Sequence, residues 1–204
     1  MPMNAMQQNR IAAILREGLI LALMMASLLA ARSTLADHYY VPSGSMENTL
    51  FPGDRVLVDK RAYGYRIPFT NREILAVDPV DRGDVVIFDS PRDGVRLIKR
   101  IVAIGGDHVR IENGRLNING EWLASNADGD LERFGDKRVQ LNLKDGGGPP
   151  LDLIVAEGQV LAIGDHRGSS ADSRFFGTVS EGRIYGRAMA VYYRRGDGFS
   201  WIPL

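Results

Sequence analysis

The amino-acid sequence predicts a mainly β protein, in which one antiparallel β-domain follows a single apolar helix. The longest apolar stretch lies within the first 36 residues, and beyond it short β-branched runs alternate with Gly, Pro, Asn and Asp. No long stretch of helical period interrupts these runs, and 204 residues suffice for one substantial domain. We therefore predict an amino-terminal anchor at 1–36 and a β-domain at 37–204.

The amino-terminal stretch at 11–31 is apolar apart from the neighbouring Arg16 and Glu17. A bilayer core needs about 20 helical residues, so this stretch predicts one transmembrane helix. Arg10 and Arg16 precede its uncharged part, which by the positive-inside rule places the first residues in the cytoplasm and the rest outside it. The stretch also fits a cleavable export signal, because the small residues at 34–36 suit a cleavage site, and both interpretations stay open.

The β-domain is predicted from runs that alternate in polarity, or are continuously apolar, between turn residues. These candidate strands are 55–59, 84–88, 97–104, 109–111, 116–118, 159–163 and 184–193. Asn113-Gly114 and Asn119-Gly120 tolerate the positive φ of tight turns, so they predict a β-meander. The polar, Gly-rich stretch near 124–150 has no core-forming pattern and predicts a loop or small insertion.

Composition limits the chemistry that this chain can perform. Lys plus Arg and Asp plus Glu both number 25, so the net charge is zero and no nucleic-acid partner is indicated. The chain has no cysteine, which excludes thiol catalysis and thiolate metal sites. Its histidines, at 38, 108 and 166, lack the spacing of a zinc-binding helix, so neither a metal nor another cofactor is predicted.

A serine activated by a lysine is the chemistry that the remaining residues favour. The turn-forming segment Ser43-Gly44-Ser45 comes soon after the anchor and is suited to exposing a hydroxyl. A serine nucleophile needs a base within hydrogen-bond reach, and Lys99 is the candidate because it lies in the apolar run 97–104. Strand alternation places Lys99 among aliphatic neighbours, where desolvation lowers the pKa of a lysine.

A polar loop at 164–177 follows an apolar strand and is dense in hydroxyl and charged side chains. Within it, Asp172 and Arg174 are candidates for a bracing ion pair, and Ser170 is a candidate for orienting a neutral lysine. Such loops are often only solvated surface, so this role depends on where the fold places the loop.

Four motif blocks follow one another along the chain. They are Ser-Gly-Ser-Met with Thr-Leu and Pro-Gly-Asp at 43–54, Arg-Gly-Asp-Val-Val-Ile-Phe at 82–88, Ile-Lys-Arg to Gly-Gly-Asp at 98–107, and Gly-Asp-x-Arg to Ser-Ala-Asp-Ser-Arg at 164–174. Taken in this order they resemble the bacterial type I signal peptidases, over about 40–192 apart from the Gly-rich insertion.

This resemblance implies a membrane-bound serine endopeptidase that removes signal peptides from exported preproteins. Ser45 falls at its nucleophile and Lys99 at its general base, while the Ser43 hydroxyl joins the Ser45 backbone N–H in the oxyanion hole. Ser170 matches the hydroxyl that orients the lysine. Charge pairs that support the site match Arg100 with Asp165 and Asp172 with Arg174.

The resemblance also implies the fold and the surroundings of the protein. The family has an antiparallel β-domain with an apolar surface that associates with membrane lipid. We therefore expect a single-pass protein of the bacterial inner membrane with its catalytic domain on the extracytoplasmic, periplasmic side. Cleavage is expected after a small residue that has another small residue two positions before it.

Two residues depart from the family pattern. Asn48 stands where the family usually has proline, and His166 replaces the usual asparagine of Gly-Asp-Asn-Arg. We expect Asn48 to loosen the turn behind the nucleophile. We expect His166 to alter local hydrogen bonding or to introduce pH dependence near neutrality.

Several other functions remain to be distinguished. A Ser-His-Asp triad would use His166 and Asp165, a related Ser-Lys peptidase matures pilin-like subunits, and an anchored β-domain would bind exported proteins without cutting them. The triplet Arg82-Gly83-Asp84 is also typical of adhesion motifs, although here it is better explained as a turn that enters a strand.

Overall fold

The fold is known from a computed structural model, which describes residues 5–34, 36–66, 73–76, 78–124 and 129–204. Side chains are described at 13–27, 37–64, 78–124 and 129–204. The helices are α1 (Ala5–Thr34) and α2 (Ser173–Phe176), with a short 3₁₀ turn at Glu181–Arg183. The strands are β1 (Ala36–Tyr40), β2 (Arg55–Asp59), β3 (Gly64–Arg66), β4 (Glu73–Ala76), β5 (Val85–Asp89), β6 (Arg96–Ile104), β7 (His108–Glu112), β8 (Arg115–Ile118), β9 (Glu121–Trp122), β10 (Leu131–Phe134), β11 (Lys137–Gln140), β12 (Leu151–Ile154), β13 (Gln159–Ile163), β14 (Val179–Ser180), β15 (Ile184–Arg194) and β16 (Gly198–Pro203).

The main sheet contains strands from both ends of the β-domain. Its order is β1-β2-β15-β5-β6-β13-β14, with β16 also pairing with β15. A second sheet has the order β12-β7-β8-β9, and β3–β4 and β10–β11 form two separate hairpins. The strand pairs are antiparallel. The predicted mainly β, antiparallel fold is therefore confirmed.

The candidate strands from the sequence are present, each with ends within one residue of the prediction. The two Asn-Gly pairs also form the expected turns. Asn113 and Gly114 have φ of 51° and 78°, and Asn119 and Gly120 have φ of 54° and 92°. These left-handed conformations are those that Asn and Gly adopt most readily, and they join β7, β8 and β9 into the predicted meander.

The Gly-rich stretch, predicted as a loop or small insertion with no core-forming pattern, does contribute residues to the core. It contains the β10–β11 hairpin, and Phe134, Val139 and Leu141 are buried in a core cluster with β7, β8 and β13. The prediction was wrong for this part because each strand has only four residues and buries alternate ones, which is too short a pattern to identify. Residues 125–128 lie outside the described residues.

Strand β6 is enclosed on both faces. It lies between β5 and β13, and its residues from Ile98 to Ala103 are all buried. Ile98, Ile101 and Val102 belong to three different core clusters. A charged side chain on this strand is therefore held inside the protein, which positions the site described next.

Helix α1 is continuous and leads directly toward β1. Its side chains at 13–27 are exposed, and among the described residues no helix combines the length and apolarity needed to cross a membrane. Leu35, in the middle of the alternative cleavage site, lies outside the described residues.

Candidate active site

Three parts of the chain meet at one place in the β-domain. The first is the serine turn, residues 43–49, which connects β1 to β2. The second is the middle of β6, and the third is the site loop, residues 164–174, which follows β13. The polar side chains that these parts bring together are the candidates for chemistry.

Apolar side chains fix the serine turn in the core. Met46 and Leu50 are completely buried, and the backbone N–H of Leu50 donates to the Met46 carbonyl oxygen at 2.7 Å. This leaves Ser45, directly before Met46, only 8% exposed. The turn thus holds the Ser45 hydroxyl at the edge of the core instead of displaying it on a mobile surface loop.

The Lys99 side chain reaches the serine turn from β6. Its Nζ lies 2.7 Å from Ser45 Oγ and donates to the Ile98 carbonyl oxygen at 3.0 Å. A neutral amine keeps that donation and still has a lone pair for the Ser45 proton. The distance is that of a nucleophile and its base in direct hydrogen-bond contact.

Burial favours the neutral form of Lys99 near physiological pH. Lys99 is 3% exposed, and its burial lowers the pKa from 10.5 to about 8. The negative charges of Asp172 and Asp165 oppose this lowering, and the positive charge of Arg174 assists it. Desolvation is the largest of these effects, as the sequence predicted for a lysine among aliphatic residues.

Ser43 and Ser170 both lie close to Ser45, but they differ in exposure and in their hydrogen bonds. The Ser43 hydroxyl is exposed and donates to Ser45 Oγ over a long 3.4 Å. Ser170 is buried, and its hydroxyl has no hydrogen-bond partner in the described part of the chain, so no bond to Lys99 is formed. A Cβ at Gly164 would overlap both Ser170 Oγ and the Ser45 carbonyl oxygen, so only glycine permits this close approach.

One ion pair connects β6, the site loop and the serine turn. Arg100 donates twice to the Asp165 carboxylate, at 2.9 and 2.7 Å, and both side chains are almost fully buried. Thr49 adds its hydroxyl to the same carboxylate at 2.5 Å, and Arg100 donates to the Gly83 carbonyl oxygen at 2.7 Å. The pair that the family resemblance suggested is therefore present, whereas the sequence did not single out Thr49.

A second ion pair braces the site loop. Arg174 donates to Asp172 at 2.8 and 2.7 Å, and neither side chain is exposed. Asp172 also accepts from the Gly164 backbone N–H at 3.0 Å, and Arg174 donates to the Gly147 carbonyl oxygen at 2.6 Å. The Gly-rich stretch thus packs onto this pair, next to the lysine whose pKa both charges influence.

His166 does not complete a Ser-His-Asp triad. Its Nδ1 lies 3.3 Å from the Gly44 carbonyl oxygen, and its Nε2 lies 2.8 Å from Asp145. Asp165 is bonded to Arg100 instead, because neighbouring residues on this extended loop point to opposite sides. The triad interpretation is therefore wrong, and the Ser45 hydroxyl has Lys99 as its basic neighbour.

Asn48 adopts a conformation that proline cannot. Its φ is 78°, in the left-handed region that asparagine tolerates, whereas proline is fixed near −65°. The Asn48 side chain donates to the Leu141 carbonyl oxygen at 2.8 Å. The expected loosening is not what the structure shows, since this residue bonds the serine turn to the Gly-rich stretch just after β11.

Gly83 and Asp84 of the Arg82-Gly83-Asp84 triplet are buried in the domain, whereas Arg82 is exposed. Asp84 is 2% exposed, accepts from the Tyr63 hydroxyl at 2.8 Å and pairs with Lys137 at 2.7 Å. Gly83 has a φ of 89°, as expected of a turn that enters a strand. The adhesion interpretation therefore lacks an accessible carboxylate.

A cavity of about 330 Å³ adjoins the site beside Ser170. Its apolar wall includes Val95, Leu97, Phe175 and Phe176. No cluster of three or more His, Asp or Glu side chains suited to a metal ion occurs in the ranges that the structure describes. The arrangement as a whole is that of a serine in hydrogen-bond contact with a buried lysine, next to an apolar recess.

Comparisons with known proteins agree on one family. A family profile described as "Signal peptidase, peptidase S26" matches residues 13–193. The chain is similar to signal peptidase I of Pseudomonas fluorescens, with 35% identity over 81% of this chain and 67% of that protein. It is also similar to signal peptidase I of Pseudomonas aeruginosa, with 31% identity over the same shares. A crystal structure of a signal peptidase I from Enterococcus faecalis shares 28% identity, with a TM-score of 0.40, over 55% of this chain and 98% of that one.

Proposed function

The chain belongs to the bacterial type I signal peptidases, peptidase S26, which remove signal peptides, and we propose that Ser45 and Lys99 form its catalytic dyad. The 2.7 Å separation of Lys99 Nζ and Ser45 Oγ is the observation that carries this proposal. The pKa of about 8 supports it, since a base works best when its pKa lies near the operating pH.

The proposed reaction is acyl transfer in two steps. Neutral Lys99 takes the Ser45 proton while Ser45 Oγ attacks the scissile carbonyl carbon, and the Ser43 hydroxyl and the Ser45 backbone N–H stabilise the oxyanion. Lys99 then donates the proton to the leaving amine as the C–N bond breaks. A water molecule, deprotonated by Lys99, attacks the acyl-enzyme, and as the ester C–O bond breaks Lys99 returns that proton to the departing Ser45 oxygen.

Supporting roles follow from contacts around the dyad. We assign the pairs Arg100 with Asp165 and Asp172 with Arg174 to structural support, because they bond the site loop to its surroundings. Ser170 is proposed to orient neutral Lys99, for which its unpartnered buried hydroxyl is available. No group in this scheme requires a cofactor.

The proposed substrates are exported preproteins that are cut after a small residue, with another small residue two positions before it. Membership of the family supports this specificity. The pilin-maturing alternative predicts one dedicated substrate class. Cleavage of several unrelated preproteins at such sites, read by sequencing the new amino termini, would exclude that alternative, and cleavage of a single class would exclude the broad specificity.

We also propose that residues 1–36 anchor the catalytic domain, 37–204, at the extracytoplasmic face of the bacterial inner membrane. Large apolar side chains of α1 are exposed, among them Ile14, Leu15 and Leu21 at 67% each, and lipid would cover them. We expect the full chain to remain with membranes after an alkaline carbonate wash and a chain lacking 5–34 to be released. Release of the full chain by that wash would contradict this proposal.

The pH dependence of cleavage tests the dyad. We expect kcat/KM for a preprotein to rise about tenfold per pH unit below the Lys99 pKa of about 8 and to level off above it, because only neutral lysine accepts the proton. The measurement uses detergent-solubilised full chain, with Ser45→Ala as the zero baseline. A profile that is flat between about pH 6 and about pH 8 would remove Lys99 from the role of base.

A further inference from the structure

A crossing segment, residues 141–145, runs from the end of β11 to the serine turn. The Asn48 side chain donates to the Leu141 carbonyl oxygen at 2.8 Å, and the Asn142 side chain donates to the Glu47 carboxylate at 3.1 Å. Leu141 and Asn142 are both buried, so these contacts anchor the turn on a fixed part of the domain.

The same segment is bonded to the site loop. The Asn142 backbone N–H donates to the Asp165 carbonyl oxygen at 2.9 Å, and the Arg167 backbone N–H donates to the Asn142 carbonyl oxygen at 3.0 Å. These bonds flank His166, whose own backbone N–H donates to the Ser45 carbonyl oxygen at 3.1 Å. The crossing segment, the site loop and the serine turn are therefore connected on either side of Ser45.

The His166 ring adds a contact to each of these parts. Its Nδ1 lies 3.3 Å from the Gly44 carbonyl oxygen and 3.4 Å from the Glu47 carboxylate. Its Nε2 lies 2.8 Å from the Asp145 carboxylate, which is an ion-pair distance although the direction is not that of a hydrogen bond. The ring is only 10% exposed.

The groups that face these ring nitrogens carry full or partial negative charge. Among the described residues, the carbonyl of Gly44 and the carboxylates of Glu47 and Asp145 are all acceptors. Neutral histidine donates from one ring nitrogen, whereas protonated histidine donates from both. Glu47 belongs to the serine turn and Asp145 to the crossing segment, so the His166 ring connects both to the site loop.

We propose that Asn48 and His166 are positioning residues, which hold the crossing segment against the serine turn and so keep Ser45 aligned for attack. The two residues that depart from the family pattern contact the two ends of one segment, Leu141 and Asp145. Proline at position 48 has no side-chain amide, and asparagine at position 166 carries no charge. This inference rests on the proposed function, because the alignment that it describes is that of the Ser45–Lys99 dyad.

A coupled pair of substitutions tests the proposal. Asn48→Gly removes the amide but keeps the positive φ accessible, and His166→Asn removes the imidazole ring with its contacts to Glu47 and Asp145. We expect each to lower kcat for preprotein cleavage by detergent-solubilised full chain about tenfold, with KM within about twofold, because misalignment acts on the chemical step. The double variant is expected to lose clearly less than the product of the single losses, since both residues act through one segment.

The control is His108→Asn, which removes a more exposed histidine–aspartate pair, in which His108 Nε2 lies 2.7 Å from Asp152 on the second sheet. It is expected to leave kcat unchanged. Thermal unfolding of each variant shows whether a loss of kcat comes only from a smaller folded fraction of the protein.

The possible results separate the positioning roles of Asn48 and His166 from the proposed function. Parental kcat in either single variant, a loss confined to KM, or a double variant equal to the product of the single losses would overturn the positioning roles. If the parent itself fails to cleave a preprotein, the proposed function fails. If the parent cleaves and the variants match it, the function stands and only the positioning roles are lost.

Discussion

Replacement of Lys99 by methionine is expected to abolish preprotein cleavage and, at the same time, to stabilise the fold at neutral pH. Cleavage is lost because Ser45 has no other base within hydrogen-bond distance among the described residues. Methionine has a similar length and is apolar, so it suits a position that is 3% exposed between core clusters. The two effects have one cause, which is a buried amine that the reaction needs and the fold does not.

The direction of the stability change follows from the Lys99 pKa. An unfolded lysine has a pKa of 10.5, and folding lowers it to about 8, so below about pH 8 the folded state carries a charge that burial disfavours. This difference corresponds to about 3 kcal/mol. Loss of the contact with the Ser45 hydroxyl offsets about 1 kcal/mol. A net gain of about 2 kcal/mol is expected at pH 7, or about 4 to 8 °C in Tm.

The gain should also depend on pH in a defined direction. The penalty on charged Lys99 is fully present below about pH 8 and disappears as the pH rises to about 10.5, so the stability of the parent should approach that of Lys99→Met in alkali. Denaturant unfolding at about pH 7 and about pH 10 measures this. A Lys99→Met variant less stable than the parent at pH 7 would mean that the buried charge is not disfavoured.

Ser45→Ala is expected to abolish cleavage without the stability gain. It removes the proposed nucleophile but leaves Lys99 buried, and it is therefore the matched control for Lys99→Met. Unfolding of the two inactive variants under the same conditions should place only Lys99→Met above the parent. Retained cleavage in Ser45→Ala would end the assignment of the nucleophile.

Covalent labelling separates the nucleophile from its neighbour. Ser43 lies 3.4 Å from Ser45 Oγ and is proposed to donate to the oxyanion, so Ser43→Ala should lower kcat about 10²-fold to 10³-fold without abolishing it. An acylating β-lactam-type inhibitor should add its mass to the parent and to Ser43→Ala, but not to Ser45→Ala. Labelling of Ser45→Ala at Ser43 would reverse the two roles, and no labelling of the parent would favour a domain that binds preproteins without cutting them.

Local patterns in the sequence were sufficient for much of the fold. Strands β2 and β13 have the predicted bounds because apolar runs between turn residues leave few alternatives. The Asn-Gly turns followed from the low energy of left-handed Asn and Gly. The β10–β11 hairpin was missed because its strands are short and only one face of each packs on the core. The rest of that core comes from other parts of the chain.

The candidate site was predicted in part for the same reason. Ser45 and Lys99 stood out as a hydroxyl in a turn and a charge in an apolar run. The roles of His166 and Asn48 did not, because their partners at 141–145 lie in a stretch whose path no local pattern indicates. Thr49 was likewise missed, since its contact with Asp165 depends on how two loops pack.

By itself, the sequence determined the antiparallel β-domain, the ordered blocks of its family and the two residues proposed for chemistry. The tertiary structure decided that Lys99 lies against a serine 54 residues away, that β6 is covered on both faces, and which carboxylate each arginine meets. The reason is physical: turns and alternation depend on neighbours along the chain, whereas desolvation and charge pairing depend on distances that only the assembled sheet sets.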